Sequence, residues 1–123
     1  MHIDQLREYC LNKKGATEDF PFDEETLVFK VLGKMFALVS LKRWESGEAA
    51  VNLKADSDYS EELRATYNSI RPGYHMSKKH WNTLYIHEGE LQPKLVFHLI
   101  DHSYDMVVKG MTKKMRDSLL GKH

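Results

Sequence analysis

The chain holds one cysteine and three prolines, and neither charge is in surplus. Each shortage excludes a class of protein. The lone thiol, Cys10, rules out an internal disulfide framework and a four-cysteine zinc site, and it suits a reducing compartment. Eighteen basic residues balance eighteen acidic ones, so the broad positive field of a strong nucleic-acid binder is missing. No stretch approaches the roughly 18 consecutive apolar residues of a membrane span. The start, MHIDQLREYC, carries acids early and no apolar run, so no secretory leader is read there. A cytoplasmic protein without membrane association is the expectation. The seven glycines are scattered, which leaves no glycine-rich phosphate loop, and no G-x-S-x-G elbow occurs. Catalytic residues, metal and cofactor are all read as none.

What is present describes an ordinary folded domain. With 41% hydrophobic and 29% charged residues, a chain of 123 can bury one core, and 1–123 reads as a single domain. Ile3, Leu6 and Cys10 recur at helical spacing. Residues 16–25 read as an acidic loop with Pro21 between Phe20 and Phe22. Alternation then marks strands at 27–31, 35–41 and 49–53, with Gly33 in a turn and RWESG (43–47) in a hairpin loop. If these strands form one meander, Leu27, Phe29, Val31, Val51 and Leu53 face the same core.

Asp56-Ser57-Asp58 offers an N-cap, and Glu61 can close a capping box with Asp58, for a helix carrying Tyr59, Leu63 and Tyr67. Short strands are expected at 74–76 and 82–86. Pro93 suits the first turn of a helix whose inner stripe is Val96, Leu99, Ile100, Ser103 and Val107; Gly110 ends it. Thr112 caps a last helix carrying Met115 and Leu119. The order α-β-β-β-α-β-β-α-α, with short links between the first three strands, predicts an α+β two-layer sandwich: a five-stranded antiparallel sheet with helices on one face.

Charge is uneven along the chain. Residues 1–25 are acidic, and residues 107–123 are basic, with Lys109, Lys113, Lys114, Arg116 and Lys122 against Asp117. A second basic stretch is RPGYHMSKKHWNTLYI (71–86), which has cations, histidines and aromatics but no acid.

That stretch, together with GKMFALVSLK (33–42), VNLKAD (51–56) and DHSYDMVVKG (101–110), resembles the signature blocks of the MmcQ/YjbR family, in order and over nearly the whole chain. The resemblance implies a two-layer fold like those of secretion chaperones and frataxin. It also implies the DNA-binding label that the family carries, with a winged contact surface.

Candidate contacts to DNA are Arg71, Lys78, Lys79, Lys113 and Lys114 for phosphates, with His80 beside them, and Tyr74, His75 or Trp81 for stacking on bases or packing on sugars. Equally, Lys78 and Lys79 could be a solvated turn. Trp81 is expected beneath the helix 93–109, anchoring the 77–81 turn. A protein-interaction or chaperone-like module is the alternative, and a small-ligand pocket lined by His80, Asp101 and Tyr104 a third. His98 and His102, four apart on a helix, have chelating spacing, but HLIDH lacks the glutamate of a metalloprotease helix. Asp101 or Tyr104 could bond to the 71–81 turn. Trp44 could anchor a partner or fold back onto the sheet. Cys10 reads as inert core.

Overall fold

The computed structural model describes residues 1–73 and 76–121. Among them, six strands form one antiparallel sheet: β1 (Ala16–Asp19), β2 (Thr26–Val31), β3 (Lys34–Ser40), β4 (Val51–Lys54), β5 (Ile70–Pro72) and β6 (Trp81–Leu84), in spatial order β1-β2-β3-β4-β6-β5. The helices are α1 (Ile3–Leu11), α2 (Leu41–Glu45), α3 (Ser57–Thr66), α4 (Pro93–Lys109) and α5 (Lys113–Leu119), with a short 3-10 turn at Ile86–Glu88. The fold is α+β, as the alternation of patterns predicts, with one strand more than expected. No helix among the described residues is long and apolar enough to cross a membrane.

The extra strand is β1. Its sequence, ATED, has no apolar alternation to betray it. It is an edge strand, held by backbone pairing to β2 and by Arg7 of α1 on Glu18. Three other expectations shift. RWESG is not a hairpin loop: Ser40 accepts the Arg43 N–H and caps the short helix α2. Within the 56–58 stretch that offers the cap of α3, Asp56 takes the role, its carboxylate accepting from the amides of Asp58 and Tyr59, in place of an Asp58–Glu61 box. The strand before the lysine turn is 70–72. The stretch expected at 74–76 falls largely outside the described residues.

Leu27, Phe29, Val31, Val51 and Leu53 do enter one core. A register shift between Phe29 and Lys30 interrupts strict alternation, and both Phe36 and Ala37 join them. The stripe Val96, Leu99, Ile100 and Val107 of α4 closes this core, each fully buried aliphatic contributing about 1.5–3 kcal/mol. Ser103 lies in the same stripe, and its hydroxyl donates to the Phe36 carbonyl at 2.6 Å and accepts the Lys54 N–H at 2.8 Å. The β3–β4 ladder pairs Ala37 with Leu53 and Leu38 with Asn52, and Phe36 and Lys54 would be the next pair. The serine takes that rung, so α4 is stitched to both strands where they part.

Cys10 is wholly buried against this core, and burial pushes its thiol up to about 12. On the other face of the sheet a second, smaller cluster joins Val28, Leu38 and Trp81, with Met35 and Met76 packed on it.

Candidate functional site

The strand register decides which side chains share an end of the sheet. Ala16 pairs with Val31, the β2–β3 turn occupies residues 32–33, Lys54 pairs with Trp81, and Pro72 with Asn82. Residues 16, 31–34, 54, 72 and 81 therefore lie at one end. The end of α4 joins them: Met106, Val107 and Gly110 share a groove of about 430 Å³ with Gly33, Lys34, Met35, Lys54 and Trp81.

Lysines dominate this end. Lys34 sits on the turn, Lys54 closes β4, Lys78 and Lys79 precede β6, Lys109 ends α4, and Lys113 and Lys114 open α5. All but the half-buried Lys54 are exposed. Lys113 lies 3.5 Å from Asp117, while Lys34, Lys54, Lys78, Lys79, Lys109 and Lys114 form no ion pair among the described residues. The same elements and the connection after β4 also carry acids: Asp56 and Asp58 after β4, Asp101 (paired with Lys13) and Asp105 on α4, and Asp117 on α5.

The opposite end collects the loop 20–25, the α2 segment and residues 85–90. It carries Asp23, Glu24, Glu25, Glu45, Glu48, Glu88 and Glu90 against Lys42, Lys94, Arg43 (on Glu48) and the guanidinium of Arg71 (on Glu88), which leaves acid in excess. Antiparallel pairing thus converts scattered charges into a molecule basic at one end of its strands and acidic at the other.

The turn before β6 is built on backbone bonds and one arginine. The amides of His80 and Trp81 both donate to the Ser77 carbonyl. Arg64 of α3 reaches across, its guanidinium donating to the carbonyls of Lys78 at 2.5 Å and Trp81 at 3.2 Å and to Asn82 Oδ1 at 2.6 Å. Buried Asn82 in turn donates to Ser60. Arg64 and Asn82 went unnoticed in the sequence, where an arginine on a polar helix face gives no sign of a partner 18 residues away. Gly73 packs closely against Trp81: a Cβ there would stand 3.2 Å from both the tryptophan Cβ and its carbonyl oxygen, so the tryptophan would have to give by a few tenths of an ångström.

Trp81 is 9% exposed and packs with Val28 and Leu38, not beneath α4. Strand parity is the reason. Leu84 pairs with Val51 and faces the main core, so Trp81, three residues earlier, faces the other way. Trp81 is nonetheless among the residues that line the lysine-rimmed groove.

The remaining candidates separate. Arg71 is engaged elsewhere: its guanidinium holds both oxygens of Glu88 at 2.8 Å and stacks 4.4 Å over the Tyr85 ring. Desolvation by itself would raise the Glu88 carboxyl, but the hydrogen bonds from Arg71 and Ser69 and the Arg71 charge together hold it below its usual range. Tyr74 and His75 lie outside the described residues. The Nδ1 of half-buried His80 has no hydrogen-bond partner among the described residues.

Asp101 and Tyr104 turn away from His80 and from the 71–81 segment. Tyr9 donates to both Asp101 oxygens at 2.7 and 2.9 Å, Lys13 pairs with Asp101, and the Tyr104 hydroxyl donates to the Lys14 carbonyl. Burial, helped by Asp101, pushes the Tyr9 phenol up to about 12. This cluster fastens α1 to α4.

His98 and His102 do not converge on one ligand. His102 Nε2 accepts the Asp56 N–H at 3.2 Å, while exposed His98 lines a groove with Tyr67 and Glu90. Trp44 folds back, its indole N–H donating to the Ala50 carbonyl at 3.0 Å.

The chain is similar to several known proteins. It is 33% identical over 120 residues to the Escherichia coli K12 protein YjbR, described as uncharacterized, with 98% of each chain covered. Over 95 residues it is 43% identical to the uncharacterized protein YbdF of Escherichia coli O157:H7, covering 77% of this chain and 75% of that one. The crystal structure of Deinococcus radiodurans DR2400, a DUF419 domain, superposes with a TM-score of 0.86 at 41% identity, covering 99% of this chain and 89% of that one. A Pseudomonas syringae crystal structure matches with a TM-score of 0.71 at 26% identity, covering 86% and 98%. With the YjbR family model matching residues 11–106, the chain belongs to the YjbR family.

Proposed function

We propose that the lysine end is a low-affinity, sequence-independent contact for the phosphate backbone of DNA in the cytoplasm. The observation that carries this reading is the convergence of Lys34, Lys54, Lys78, Lys79, Lys109, Lys113 and Lys114 on one end of the sheet, with the loop 20–25 and its acids at the other. A neutral protein can bind a polyanion if its charge is polarised in this way, because the acids of the loop 20–25, a strand's length away, stand beyond a Debye length of roughly 8 Å, while Asp56, Asp58, Asp105 and Asp117 offset only part of the lysine charge. Of the expected contacts, Lys78, Lys79, Lys113 and Lys114 belong to this surface. Arg71 does not, being held by Glu88.

Three neutralised phosphates imply a salt slope near −2.7, or about a 40-fold loss of affinity between 50 and 200 mM salt. Fluorescence anisotropy with a labelled duplex at two salt concentrations tests the reading. Lys78→Glu/Lys79→Glu should weaken binding and flatten the salt dependence. The charge-matched Lys42→Glu/Lys94→Glu pair, at the acidic end, should not. Absence of binding by wild type at low salt would overturn the proposal, as would equal losses in both variants.

The second reading, a protein-interaction module, draws on a different feature. Phe20 and Phe22 are 47% and 63% exposed on either side of Pro21.

A further inference from the structure

We propose that the β1–β2 loop of one molecule docks into the lysine-rimmed groove of a second copy, joining molecules head to tail. Two features of one chain complement each other and lie where they cannot meet within it. The loop 20–25 projects two exposed phenylalanines from a run of acids, FPFDEE. Asp23 is spent on the loop itself, accepting the amides of Glu25 and Thr26, and Asp19 is paired with Lys30. Glu24 and Glu25 are exposed and form no ion pair among the described residues. Pro21 restricts the backbone between the two rings, which lowers the entropy lost when the loop is captured.

The groove at the other end has matching chemistry. Its walls are Met35, Met106 and Trp81, and its rim carries Lys34 and Lys54. Thioether sulfur beside an aromatic ring is a favourable contact, and methionine adapts its shape to an incoming side chain. A phenylalanine seated between the methionines would bring Glu24 and Glu25 toward the rim lysines. Gly33 and Gly110 flank the opening without side chains to obstruct it.

Loop and groove occupy opposite ends of the strands, so the contact is heterologous. Such a contact generates a ring if its rotation closes and an open chain if it does not. The same end carries the phosphate contact proposed above, so a bound loop and a bound duplex exclude one another there. The inference does not rest on that reading, and its test uses protein alone.

Sedimentation velocity at low salt, from micromolar to near-millimolar protein, should show a weight-average mass that rises above the monomer's and falls back on adding salt. Phe20→Ser/Phe22→Ser removes the plug and keeps the groove. Lys34→Glu/Lys54→Glu spoils the groove and keeps the plug. Each variant alone should remain monomeric, and their mixture should form a one-to-one dimer and nothing larger. The four substituted side chains are exposed or half-exposed, and circular dichroism verifies that both variants fold. A wild type that stays monomeric throughout, an oligomer unaffected by either pair of substitutions, or a mixture that yields no dimer would overturn the proposal.

Discussion

Replacing Ser103 with alanine removes one oxygen atom and leaves two backbone groups without partners. The side chain is wholly buried, and its hydroxyl serves the Phe36 carbonyl and the Lys54 amide at once. An orphaned buried group costs about 1–3 kcal/mol, and two of them, less some relaxation, give an expected loss of about 2–4 kcal/mol. The loss has a location as well as a size. Phe36 and Lys54 stand where the β3–β4 ladder opens, at the end that carries the groove, so the Lys54 amide should lose hydrogen-exchange protection beyond the global destabilisation. Urea unfolding followed by circular dichroism measures the first quantity, and amide exchange resolved by residue measures the second. A competing outcome is physically available: the strands could close and bond to each other directly. A loss below about 0.5 kcal/mol with Lys54 still protected would establish that closure and refute the claim that the serine holds the strands.

Two further predictions follow from backbone geometry and from ionisation. Leu32 sits at φ 47°, before Gly33 at φ 79°, in a two-residue turn whose conformation favours Asn-Gly; Leu32→Asn should raise stability by about 1 kcal/mol, seen as a melting temperature some 4 °C higher. His102 has its pKa lowered by burial and by His98, against the opposing pull of Asp56 and Asp105, and its neutral ring accepts the Asp56 N–H at the start of α3. A depressed pKa in the folded state means that the unfolded chain binds the proton more tightly, so stability is full above about pH 6.5 and falls as pH drops below it. Urea titrations between pH 7 and pH 5 should show this fall in wild type and a shallower one in His102→Gln.

Much of the fold was legible because its signals are local. The stripe of α4, bounded by Pro93 and Gly110, and the alternation of Leu27, Phe29 and Val31 each report a periodic surface against one core. What escaped notice lacks such periodicity. β1 is four residues without an apolar face, α2 is a helix too short to show a period, and the Arg64–Asn82–Ser60 chain joins residues whose nearness depends on α3 lying beside β6. Trp81 faces the opposite side of the sheet from the one its sequence suggests, because aromatic character signals burial but not direction. Direction follows from pairing, and the register of Leu84 on Val51 settles it.

The same division holds for the candidate site. The sequence alone determined that the chain is neutral overall, has clusters of lysine near residues 78 and 113, and has acids near residue 20. It could not say where these meet, since position along a chain does not reveal which end of a sheet a residue occupies. Antiparallel strands reverse direction at each turn. Lys34, Lys54 and Lys78 therefore come together from three separate connections, while Arg71, close to Lys78 in sequence, is drawn away to Glu88 and Tyr85. Charge polarity in this molecule is a consequence of strand order and register, which tertiary packing sets by turning one face of β2, β3, β4 and β6 onto the main core.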